Sequence, residues 1–155
     1  MKKWNRDISF IMGCLRVGKP QGIAGEVNLL FYHKQYEYAI LILKKFLEEP
    51  DGWIENKLNS CLVLSCCYQA MGENAAAFDI LFYSFTMDVP RAEICCEIGR
   101  LFMEKKEYVT AAYWYQQALL APRKKKNGGF YIADSHNFIP AIQMCVCLDK
   151  AGRHR

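Results

Sequence analysis

The sequence lacks most of the features that mark a catalytic site, a metal site or a membrane span. It has three histidines, and no two of its eight cysteines have the C-x-x-C spacing typical of zinc and thiol-exchange sites. No apolar run approaches the roughly 18 residues that cross a bilayer. The basic start MKKWNRDISF leads into a short apolar run without a small-residue cleavage site. We therefore expect a cytoplasmic protein with no metal, no cofactor and no membrane insertion.

Net charge gives little reason to expect a nucleic-acid partner. Twenty Lys and Arg against sixteen Asp and Glu leave +4, and the short basic run from Arg123 to Lys126 is interpreted as a solvated loop. In contrast, 52% hydrophobic and 14% aromatic residues predict a folded domain with a substantial core. We predict a globular protein that does not bind nucleic acid.

Apolar residues recur at spacings of three and four along most of the chain, and sustained alternation is absent. This pattern predicts an all-α protein of seven or eight short helices. The helices are separated by glycine and proline at Gly18-Lys19-Pro20, Pro50-Asp51-Gly52, Gly72, Pro90, Pro122, Gly128-Gly129 and Gly152.

The middle of the chain superimposes on itself when Cys61 is moved onto Cys95. Small residues align with small residues, and large apolar residues with large ones, as expected where two helices of a hairpin approach closely. The matched pairs are Cys61 and Cys95, Leu64 and Ile98, Ser65 and Gly99, Tyr68 and Phe102, Ala77 and Ala111, Leu81 and Tyr115, and Ser84 and Ala118.

This period of about 34 residues, with its small and aromatic positions, resembles the tetratricopeptide repeat (TPR) family. The resemblance implies an all-α, α-α superhelix, a solenoid of stacked helical hairpins. Residues 92–125 match best, with Gly99 and Phe102 in the first helix, Tyr108 at the turn and Pro122 near the end. Residues 58–91 match with Ser65, Tyr68, Gly72, Ala77, Leu81 and Ser84, while Asn74 replaces the turn aromatic.

The repeat sets the predicted domain organisation. A helical extension over 1–19 precedes a repeat domain over 20–155, with units at about 20–53, 58–91 and 92–125 and a half unit at 138–155. Tyr36, Ala39 and Leu43 carry the second-helix pattern of the first unit, and the connection to the next unit has four extra residues. In the half unit, Cys145 and Leu148 take the small and large positions and Gly152 the turn. The loop before it is about twelve residues longer than the repeat allows.

The cysteines follow the same period, since Cys61 and Cys95 lie one repeat apart and most others fall on first helices. We interpret them as small apolar packing residues rather than as a thiol or metal site. Adjacent pairs such as Cys66 and Cys67 should point to different sides of their helix.

The TPR resemblance implies that first helices line a concave groove for a protein or peptide. A carboxylate clamp is not expected, because Ala24, Asn28, Glu93 and Glu97 stand where clamp-type members carry Lys, Asn, Lys and Arg. The groove positions implied are Asn28, Phe31, Asn59, Leu62, Cys66, Gln69, Glu93, Cys96, Arg100 and Met103.

Several stretches, such as NGGFYIADSHNFIPAIQMCVCLDKAG, also resemble the helical region that follows the catalytic domain of some bacterial family 2 glycosyltransferases. The chain has no Asp-x-Asp motif, so we predict a non-catalytic scaffold or interaction module accessory to such an enzyme. The alternative is a glycosyltransferase fragment whose repeat region handles sugar or acceptor, using the loop from Gly128 to Phe138 and the pair Tyr113 and Trp114.

The last predicted helix, FIPAIQMCVCLDK, is apolar around most of its circumference. Ile139, Ile142, Met144, Val146 and Leu148 exceed what one neighbouring hairpin can cover. We expect this helix either to form a homodimer or to lie at a cut made in a longer parent chain.

Overall fold

The computed structural model describes residues 34–122, 135 and 137–152. These residues form helices and no strand, which confirms the all-α prediction for the described part of the chain. The predicted extension over 1–19, the first helix of the first unit and most of the long loop lie outside it. None of the described helices is long and apolar enough to cross a membrane.

Six α-helices and one 3-10 turn are described. The helices are α1 (Tyr36–Glu48), α2 (Ile54–Ala70), α3 (Asn74–Tyr83), α4 (Ala92–Glu104), α5 (Tyr108–Leu120) and α6 (Phe138–Lys150), and the 3-10 turn spans Ser84–Thr86. Each helix is of ordinary length for a hairpin repeat, from 10 to 17 residues.

The chain divides into two units, 1–88 and 89–155. In the first, α2 packs against both α1 and α3; in the second, α5 packs against both α4 and α6. The apolar centre of the first unit consists of Ile42, Leu43, Phe46 and Leu64. The centre of the second is built largely from small residues, including Cys95, Ala111, Ala118 and Cys147, around the ring of Tyr115.

The turns that end α2 and α4 have the same geometry and stand one repeat apart. Gly72 and Lys106 both adopt a left-handed backbone, with φ of 78° and 62°. The N–H of Glu73 donates to the carbonyl of Tyr68 at 2.8 Å, and the N–H of Glu107 donates to that of Phe102 at 3.0 Å. This is the Schellman arrangement, and here its last residue is also the first cap of the next helix.

Two further turns share parts of this geometry. Lys34 has φ 56° directly before the N-cap residue Gln35, and Gly152 has φ 72° directly after Ala151, the C-cap residue of α6. The interval from Lys34 to Gly72 exceeds that from Gly72 to Lys106 by four, which matches the predicted insertion. A lysine at two of the four turns was not anticipated, because the left-handed region costs a residue with a Cβ about 1–2 kcal/mol.

Burial repeats with the same register. All seven residue pairs aligned by the repeat fall in matching burial classes: six pairs are buried, and Tyr68 and Phe102 are half-buried. The small residue Gly99 shows why size is restricted, since a Cβ built on it would lie 3.1 Å from the Tyr115 ring. The sequence period therefore corresponds to two hairpins whose aligned positions are equally buried.

Candidate functional site

The first-helix positions predicted to contact a partner lie on α2 and α4, in different units of the chain. Asn28 and Phe31, predicted for the first unit, lie outside the described residues. The faces of α2 and α4 are therefore described separately.

On α2, the predicted positions form a partly open surface of mixed chemistry. Asn59, Leu62 and Gln69 are half-buried, and Cys66 is exposed. The Gln69 Nε2 donates to the Ser65 Oγ at 3.0 Å, which orients the amide along the helix. This surface offers an aliphatic side chain flanked by amides and a thiol, and it carries no charge.

On α4, two of the predicted positions are covered by the chain itself. Glu93 and Cys96 are each only 9% exposed. The Cys96 thiol donates to the carbonyl oxygen of Ser135 at 3.5 Å, so Ser135, which lies between α5 and α6 in the sequence, contacts this face. The backbone of Ser135 thus occupies part of the surface that the resemblance assigns to a partner.

The other two positions on α4 are engaged by neighbouring side chains. Arg100 donates to Glu97 through Nε at 2.9 Å and through Nη2 at 2.6 Å, and it also pairs with Glu104. Met103 is half-buried, and its sulfur accepts a hydrogen bond from the Tyr115 hydroxyl at 3.5 Å. Arg100 pairs with Glu97 at i, i−3 and with Glu104 at i, i+4, so the helix by itself brings these three charged side chains together.

The buried cysteines have the character of packing residues. Burial raises the pKa of Cys61, Cys95 and Cys96 to about 12 each, and that of Cys67 to about 11. A thiol with so high a pKa is almost fully protonated near neutral pH and is a poor nucleophile or metal ligand. The seven described cysteines are thiols rather than disulfides.

Two of the described cysteines are exposed rather than packed in the interior. Cys66 is exposed while its neighbour Cys67 is buried, as predicted for adjacent residues on a helix. Cys145, predicted to fill a small internal position, is exposed instead.

The aromatic cluster on α5 divides as the repeat predicts. Tyr115 is 2% exposed and Tyr113 is 53% exposed, while Trp114 is half-buried and meets Tyr113 edge to face at 5.4 Å. Tyr113 is thus the ring available to a ligand. In the part of the chain that the structure describes, no three His, Cys, Asp or Glu side chains are grouped to hold a metal ion.

Sequence reasoning missed two features of these surfaces. The contact of Ser135 with Cys96 joins residues 39 apart, and the sequence offers no signal for a contact at that separation. The charged network on α4 could have been found, because Glu97, Arg100 and Glu104 stand at pairing distances along one helix.

Comparison of the chain with protein-family models, with curated proteins and with solved structures found no match in any of the three.

Proposed function

We propose that this chain is a non-catalytic protein-interaction module of TPR type, whose stacked hairpins form a superhelix and whose first-helix face binds a partner. The observation that carries the proposal is the recurrence, one repeat apart, of the same turn hydrogen bonds and the same buried positions. Hairpins stacked in this way present their first helices along one side, and such a surface suits an extended peptide or a helix.

Within this proposal, the α2 face is the favoured contact surface. Its positions are open or half-open, whereas Glu93 and Cys96 on α4 are covered. An uncharged face with one aliphatic side chain, Leu62, and two amides, Asn59 and Gln69, favours a partner segment that brings an apolar side chain and a backbone or amide hydrogen-bonding group.

Paired substitutions at exposed positions test this surface. Cys66→Arg places a long cation in the middle of the α2 face, and Ala75→Arg places the same side chain at an exposed position on α3. Proteins captured from the source cell by the wild-type chain should be lost with Cys66→Arg and retained with Ala75→Arg, with both variants folded by circular dichroism. Equal retention by the two variants would remove the α2 face from the proposal.

The association with a glycosyltransferase is a narrower proposal that rests on the sequence resemblance alone. Its expected outcome is that a family 2 glycosyltransferase, either on the same polypeptide or as a separate protein, is recovered by the wild-type chain and lost with Cys66→Arg. Capture of partners unrelated to sugar transfer would leave the interaction module and remove this association.

A further inference from the structure

The α4 face is closed at a position that is partly or fully open on the other described first helices. Alignment on the left-handed turns that follow α2, α4 and α6 places Leu62, Cys96 and Ile142 at this one position. Leu62 is half-buried and Ile142 is 58% exposed, whereas Cys96 is only 9% exposed. The closure is therefore a property of α4 and not of the repeat position.

A second position, three residues earlier, shows the same difference. Asn59 on α2 is half-buried and Ile139 on α6 is 42% exposed, but Glu93 on α4 is only 9% exposed. A charged side chain is seldom buried to this extent. The α4 face is thus covered over about one turn of the helix.

A residue of the chain itself closes the position of Cys96. The Cys96 thiol donates to the carbonyl oxygen of Ser135 at 3.5 Å, and Ser135 is 6% exposed. Ser135 stands three residues before α6 begins at Phe138, and α6 packs against α5, as α4 does. The packing of α6 within its unit therefore brings Ser135 to the α4 face.

The contact uses the main chain at Ser135 rather than a distinctive side chain. Every peptide segment offers the same carbonyl acceptor, and the low exposure of Ser135 leaves room for a small side chain only. A thiol is also a weak hydrogen-bond donor, so exchanging this acceptor for another one costs little. The α4 face therefore suits the main chain of a segment that has a small residue at this point.

We propose that Ser135 is a built-in occupant of the α4 face, and that a partner segment with a small residue displaces it by placing its own main chain against Cys96. The inference rests on the proposed function, because it concerns how a partner reaches α4 as well as α2. It gives the chain a resting state in which the α4 face is occupied. Partner binding is then weakened by the free energy needed to remove Ser135 from the face.

Large charged substitutions at Ser135 test whether this residue covers Cys96. Because Ser135 is buried, Ser135→Arg and Ser135→Glu should both move residue 135 off the face. Thiol labelling located by mass spectrometry should then modify Cys96 about tenfold faster than in the wild type, since the thiol reacts only when it is uncovered. Cys95, which is fully buried, should stay unreactive and so report an intact core. Phe138→Arg, at an exposed site nearby, should leave the labelling of Cys96 unchanged.

Partner capture by the same full-length variants tests displacement. The probe is the set of source-cell proteins that the wild-type chain retains and Cys66→Arg loses. Below saturation, Ser135→Arg and Ser135→Glu should each raise the retained amount about threefold, because removing a competing occupant raises the apparent affinity. Agreement between two variants of opposite charge excludes attraction by the new charge as the cause. Phe138→Arg should retain the wild-type amount.

Three results would overturn the inference. Unchanged labelling of Cys96 in both Ser135 variants would show that Ser135 does not cover the face. Faster labelling with unchanged or reduced capture would show that no partner displaces Ser135. Labelling of Cys95 together with Cys96 would make Ser135 a structural part of the core rather than a displaceable occupant.

Failure of the proposed function is recognised separately. A wild-type chain that retains no protein sensitive to Cys66→Arg removes the proposed function, and this inference with it. That result is seen in the wild-type chain, before any change at Ser135 is made.

Discussion

Among single residues, Lys106 is the one whose backbone conformation conflicts most clearly with its type. It occupies the left-handed position that Gly72 holds in the preceding hairpin. Because glycine has no Cβ to clash there, Lys106→Gly should stabilise the protein by about 1 kcal/mol.

The matched control is Gly72→Ala. A Cβ at Gly72 would meet nothing within 4 Å, so the only cost is the left-handed backbone, and we expect a loss of about 1 kcal/mol. Urea unfolding of the two variants measures both changes. Equal signs for the two would show that the turns are not equivalent.

The buried thiols give stability a defined dependence on pH. Burial, followed by the nearby Glu93 carboxylate, raises the pKa of Cys95 to about 12 in the folded state, whereas an exposed thiol titrates near pH 8.5. The folded state therefore holds the proton more tightly. Stability from this thiol is fully present below the unfolded pKa and is lost as pH rises from about 9 towards 12.

Each such thiol contributes a slope of about 1.4 kcal/mol per pH unit in that window. Removing one with Cys95→Ala should make the loss of stability between pH 9 and 11 less steep by about that amount. Between pH 6 and 8 the wild type and the variant should show the same slope. Parallel slopes above pH 9 would mean that Cys95 ionises as easily in the folded state as in the unfolded chain.

In each hairpin, a small residue of the first helix is paired with a large residue of the second helix. The two hairpins use different residue pairs. The hairpin of α4 and α5 uses Gly99 under Tyr115, and the register places Ser65 with Leu81 in the other. Gly99→Ser alone should cost about 1–3 kcal/mol because its Cβ would lie 3.1 Å from the ring.

Tyr115→Leu alone should cost a similar amount, about 1–3 kcal/mol, through lost contacts. The double variant reproduces the pair found one repeat earlier, so it should be more stable than the sum of the single changes predicts, by at least about 0.5 kcal/mol. Strict additivity in thermal or urea unfolding would indicate that the two positions are not in contact.

These elements also show what the sequence could and could not predict. The buried positions were predictable, because a fixed period forces Ala77 and Ala111 into the same environment. The left-handed turn at Gly72 was predictable from its residue type. The left-handed turn at Lys106 was not predictable, because the packing of the hairpin, rather than the preference of lysine, fixes the backbone there.

The candidate site was less predictable than the fold. The resemblance to the TPR family implied the residues on the α2 and α4 faces, but it could not reveal that Ser135 lies on Cys96. Cys145 was expected to be internal because its repeat position is internal elsewhere. Its exposure depends on whether a second helix covers α6, which the pattern of α6 alone does not specify.

For the whole molecule, we predict that neither a metal ion nor a disulfide holds the fold. The described cysteines are thiols, and burial accounts for the raised pKa of buried ones such as Cys61. Chelator and reductant together should therefore leave helicity and Tm unchanged. A fall in Tm that added zinc reverses would contradict this account.

We propose that the chain is a series of equivalent hairpins stacked by a constant rotation. A crystal structure of the full chain measures it most directly, because it gives the rotation that carries each hairpin onto the next. The account predicts that residues 58–91 superimpose on 92–125 and that one common rotation relates successive hairpins, as in a superhelix. Hairpins that superimpose but are related by unequal rotations, or that do not pack in series, would contradict it.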